Sequence, residues 1–88
     1  MKITLRVVLA AAGRGGWHGD KEIDVAFTPS MDIEFELPGL KPHKPAHIGY
    51  TEQENHFLVS FGIVDLPQDE RTGVADSLQD AGWDVSGR

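Results

Sequence analysis

"VVLAAAGRGG" (Val7–Gly16) decides how this chain is read. An apolar run that ends in a turn makes a small β-rich domain. The same run opening onto a helix makes a parallel α/β sheet. The residues around it favour the turn. Ile3, Leu5, Val7 and Leu9 fall to one side, with Lys2, Thr4 and Arg6 to the other. Strand side chains alternate between faces, so this period predicts a half-buried strand over residues 2–11. The next segment, "AGRGGWHGD" (residues 12–20), carries four glycines and no apolar period, and is expected as a loop. Alternation then returns over residues 21–28, with Ile23, Val25 and Phe27 inward and Glu22, Asp24 and Thr28 outward.

The same reasoning extends to the C-terminus. "TPSM" reads as a turn, and a third strand follows with Ile33, Phe35 and Leu37 inward and Asp32, Glu34 and Glu36 outward. Pro38 and Gly39 stop it. Three prolines over residues 38–47 predict an extended connector, because proline removes donors and fixes φ. Residues 47–51 and 56–63 predict a hairpin around "EQEN". Phe57, Val59, Phe61 and Ile63 share one face, joined by Ile48 and Tyr50. After Asp65 the period changes. Val74, Leu78 and Ala81 have helical spacing, with Asp65 or Asp69 as the expected cap and Gly82 at the closing left-handed position. Trp83 and Val85 are expected to return to the sheet. The prediction is an α+β, mostly β fold in one domain over residues 1–88. Its core is a five-stranded antiparallel, meander-like sheet with one short C-terminal helix. A small closed β-barrel built from the same strands is the alternative.

Over about ten residues, the apolar strand and Ala-Ala-Gly-x-Gly resemble the opening of the nucleotide loop in nucleotidyltransferases. That resemblance implies phosphate binding at a helix N-terminus. Three features separate this chain from it: an extra alanine, a strand rather than a helix downstream, and a length far below that fold. The stretch is therefore read as a glycine-rich turn between strands.

Charge and composition exclude more than they assign. The net charge is −6, with 14 acids against 8 scattered bases. Nucleic acid held through phosphates needs clustered Lys and Arg, so it is not expected as a partner. Without cysteine there are no disulfides, no thiol chemistry and no cysteine zinc site. That fits a reducing, cytoplasmic setting. Only Val7–Ala12 is continuously apolar near the N-terminus, shorter than the roughly 7–15 residues of a secretory h-region. Neither a membrane span nor a cofactor is expected.

Several residues are candidates for function. His43 and His47, four apart in "PHKPAH", would share a helix face and grip a metal, but Pro42 and Pro45 prevent a regular helix. No serine lies in a nucleophile elbow. Trp17, beside His18 among glycines, is either a lid folded onto the core or an exposed contact anchor. Pairing the expected second and third strands sets Asp24 against Glu36 and Ala26 against Glu34. That makes an acidic outward patch which either Lys2 and Arg6 or a basic partner must relieve. These readings add up to a small acidic, non-catalytic binding or protein–protein interaction module, with a basic protein or a second copy as partner. The alternative is a small metal-binding protein or enzyme using the loop histidines.

Overall fold

The alternating N-terminal segment forms β1 (Lys2–Ala11) at the centre of the sheet. In the computed structural model, which describes Met1–Arg88, it is followed by β2 (Arg14–Asp24), β3 (His47–Thr51), β4 (His56–Leu66), α1 (Gln68–Asp80) and β5 (Asp84–Ser86). The five strands lie in the order β3-β4-β1-β2-β5. β1 pairs antiparallel with β2 but parallel with β4. The sheet is therefore mixed rather than an antiparallel meander. It is also open: β3 and β5 are its edges and do not meet, which removes the barrel alternative.

β2 corrects the loop expected over residues 12–20. Ala12 and Gly13 alone make the turn, with φ of 53° and 71°. Positive φ at both central positions is the type I′ hairpin turn, whose twist matches that of the strands. Ala11 lies opposite Arg14 and Ala10 opposite Gly16, so Gly15, with φ of 58°, is an extra bulge residue. The strand then runs on through the glycines. Gly19 explains why no apolar period was visible. A Cβ there would sit 3.3 Å from both Leu78 and Val7, so α1 packs directly on the β2 backbone. β2 ends at Asp24, before the expected Thr28, and Phe27 is exposed.

The core lies between the sheet and α1. Ile3, Leu5, Val7 and Leu9 supply its floor, joined by Val59 and Phe61 of β4. Val74, Ala75 and Leu78 of α1 and Trp83 cover it. α1 begins after Pro67 with no side-chain cap, so neither Asp65 nor Asp69 caps it. Asp69 and Glu70 in the first turn suit the positive end of the helix dipole. At the other end, the Trp83 N–H donates to the Leu78 carbonyl (2.9 Å) and the Gly82 N–H to that of Gln79 (3.1 Å). This Schellman closure turns Trp83 into the core and lays β5 along β2.

The third strand expected over residues 32–37 is absent. Residues 25–46 form an irregular strap whose one ladder contact is the Phe35–His43 bridge. Its apolar residues still reach the core: Leu37 is buried, and Phe35 packs edge-on against Phe61 with centroids 5.5 Å apart. The alternation reported contact with the core, not membership of the sheet. Prolines 38, 42 and 45 deny the segment the donors a ladder needs.

Candidate functional site

α1 and the strap cover one face of the sheet and leave the other uncovered. The register places Lys2, Thr4, Arg6 and Val8 of β1 on that uncovered face. His18, Asp20, Glu22 and Asp24 of β2 flank them on one side, and His56, Leu58 and Ser60 of β4 on the other. A ladder of ion pairs crosses from β1 to β2. The N-terminal ammonium meets Asp24 at 2.7 Å, Lys2 meets Glu22 at 3.6 Å, and Arg6 meets Asp20 at 2.8 Å. The ammonium lowers the Asp24 pKa below the usual carboxylate value, first through its hydrogen bond and then through its charge. In the same way, the hydrogen bond and charge of Asp20 raise the pKa of Arg6. The expected Asp24–Glu36 patch does not form. Asp24 lies opposite Lys2, while Glu34 and Glu36 are exposed on the strap. Asp20, Glu22 and Asp24 are each paired with a base of β1 or the N-terminus, while Asp84, opposite Asp20, and Asp65, opposite Ala10, are in no ion pair.

The histidines are dispersed. His18 stands opposite Val8, His47 opposite Ser60 at the start of β3, and His56 opposite Thr51. His43 sits on the strap, its Nδ1 2.6 Å from the Lys41 carbonyl oxygen. No group of three or more His, Cys, Asp or Glu side chains comes together in a metal-holding arrangement. Thr4 Oγ1 and His56 Nε2 share a 2.6 Å hydrogen bond, the pairing from which nucleophilic catalysis starts. It lies on an open sheet face, and no third group orients the imidazole. The molecule's three surface depressions are lined by residues of the strap, α1, the β4–α1 junction and the β1–β2 turn, with no histidine among them. The bond joins β1 to β4.

Trp17 and His18 point to opposite faces. Trp17 lies opposite Leu9, half-buried against the core, and His18 is exposed. Arg71 of α1 lays its guanidinium 3.9 Å from the centre of the Trp17 ring, and Arg88 lies 5.3 Å from it. Arg71 is only 8 % exposed, yet no carboxylate pairs with it. Its Nη2 donates to Gln68 Oε1 at 2.6 Å, while its Nε is buried without a partner. No local pattern signals this, because an arginine in "DERTG" reads as an exposed helix residue.

A further feature lies at the edge of β4. β3 pairs only with His56–Ser60, and the Ala46 N–H donates to the Ser60 carbonyl at 2.8 Å. Beyond that bond, Phe61–Leu66 continue with no strand on that side. The edge is a step. On it stands Ile63, at 73 % the most exposed large apolar side chain of the molecule. Phe57–Val64 contain no charged residue, and that run was the available sequence signal. It was hidden because the strand was expected to end at residue 63 inside a simple hairpin.

Fold and surface together define a mixed five-stranded α+β domain with one helix, an uncovered sheet face and a stepped edge. No family model matches the chain, and neither a curated protein nor a solved structure does. No helix is long and apolar enough to cross a membrane.

Proposed function

We propose that the chain is a non-catalytic protein-binding module that takes its partner by strand addition at the stepped edge of β4. The observation that carries this reading is the unpaired run Phe61–Leu66 with Ile63 exposed on it. An unpaired strand presents a row of backbone donors and acceptors to any extended segment. Natural edges are blunted by charge, proline, bulges or cover. β4 has a bulge at Gly62, with φ of 75°, at the lower end of the run; beyond it Ile63 and Val64 have neither charge nor proline, and no strand covers them. The three acids of β2 on the sheet face are already paired, which leaves a basic partner less to bind there.

Native mass spectrometry and size exclusion on the chain as purified, beside Ile63→Lys and His56→Ala, test the reading. Polypeptide complexes should disappear in Ile63→Lys and persist in His56→Ala. A bound metal lost in His56→Ala, with no polypeptide complex in any sample, would contradict it.

A further inference from the structure

We infer that the partner at this edge is a second copy of the chain, joined antiparallel through Gly62–Leu66 of both β4 strands about a twofold axis. This rests on the strand-addition reading above. The first support is the shape of the step. Ala46 closes its lower end, since a Cβ on Gly62 would lie 3.5 Å from that of Ala46. The free edge therefore runs from Gly62 to Leu66. A copy turned by half a rotation offers the same five residues in the opposite direction. Its β4 then continues the line of the first copy's β3, and the reverse holds as well. The two steps fill each other and leave neither overhang unpaired.

Register follows from faces and sterics. Opposed residues must share a face. One arrangement sets Val64 against Val64 and Ile63 against Asp65, with Leu66 level with the bulge at Gly62, whose N–H donates to Ser60 Oγ. Sliding by two residues one way sets Asp65 against Asp65, which is repulsive. Sliding the other way brings Leu66 level with Ser60, where Ala46 and His47 already lie. The first arrangement remains. It leaves the two Ile63 side chains as diagonal neighbours on the uncovered face, roughly 7–8 Å apart and within contact range.

The charges match the same twofold. Asp65, Asp69 and Glu70 lie at the upper end of the step, and Lys41 and Lys44 on the strap lead into its lower corner. None of the five is in an ion pair within the chain. The rotation carries the acidic end of each copy to the basic corner of the other. Between them Ile63 and Val64 are uncharged, and each Asp65 lies across from the Ile63 of the other copy rather than from the other Asp65.

Sedimentation velocity across a concentration series, combined with cysteine cross-linking, tests the inference. The chain has no cysteine, so Val64→Cys introduces a single thiol. On the axis it faces its own copy at about 4.5–5.5 Å between Cα atoms, within the 4.4–6.8 Å range of disulfides. Asp80→Cys, on the exposed end of α1, is the control. The expected result is a concentration-dependent dimer and oxidative cross-linking of Val64→Cys but not of Asp80→Cys. Ile63→Lys should lose the dimer while keeping its circular dichroism. Wild type that stays monomeric at every concentration overturns the second copy but leaves the edge to another protein. A dimer that persists in Ile63→Lys overturns both the second copy and the edge reading.

Discussion

Replacing Arg71 with methionine should stabilise the protein. The guanidinium is buried, has no carboxylate partner, and leaves Nε without an acceptor. An unsatisfied buried donor costs about 1–3 kcal/mol, and desolvating the charge adds to that. Against this stand the contact with Trp17 at 3.9 Å, worth about 0.5–2 kcal/mol as a cation–π interaction, and the bond to Gln68. Gln68 is exposed and regains water when that bond is lost. Methionine keeps a flexible stem of similar length, and its sulfur returns about 0.3–1.5 kcal/mol against the indole. The balance favours Arg71→Met by about 1–2 kcal/mol, which in a domain of this size raises Tm by about 4–8 °C per kcal/mol. Arg71→Ala removes the stem as well and should destabilise, because Trp17 loses its cover. Urea titrations and thermal melts of both variants give the answer. Equal losses above about 1 kcal/mol in both would refute the reasoning, since the charge itself would then be the stabilising element.

Other outcomes follow from the packing and the turns. Phe61→Ala removes a buried ring packed edge-on with Phe35 and should cost about 3–5 kcal/mol, read from urea denaturation; a loss under about 1 kcal/mol would remove Phe61 from the core. Ala12 holds a φ of 53°, and Ala12→Asn, which suits that region, should stabilise by about 0.5–1 kcal/mol in the same assay. The lowered Asp24 pKa means that its contact with the N-terminal ammonium stabilises the fold above the ordinary carboxylate value of about 3.9. The contribution is lost as pH falls through the depressed folded value. N-terminal acetylation should therefore move the Asp24 titration upward in an NMR pH series, and an unmoved midpoint would exclude the ammonium as its partner.

Much of the fold was legible, and the misses have physical causes. The central strand, the β3–β4 hairpin and the glycine closing α1 all announce themselves through local rules of alternation, loop length and capping. β2 was hidden because Gly15, Gly16 and Gly19 carry no side chain to show a period. The glycine at 19 marks close approach of the helix rather than a flexible loop. Lys21 added to the disguise. It lies on the core side of β2 opposite Leu5, and its Nζ reaches out to the Ala81 carbonyl at 2.7 Å. The strap misled in the opposite sense, because Phe35 and Leu37 alternate toward the core without joining a ladder. The parallel β1–β4 pairing lay beyond local rules, since alternation identifies a half-buried strand and not its neighbour. Among the candidate residues, Asp24 was placed against the wrong partner because its register was counted from a strand that does not form. The step on β4 depends on where β3 stops, which only the assembled sheet reveals.

Hydrogen exchange along β4, followed residue by residue at low and high protein concentration, tests most directly whether the stepped edge is the working surface. At low concentration, amides of His56–Ser60 that bond to β3 should be protected, while the outward-facing amides of Ile63–Leu66 exchange rapidly. At high concentration those outward amides should slow markedly and the rest of the sheet should not. Outward amides that exchange equally fast at both concentrations, or are already protected in the dilute monomer, would contradict the account.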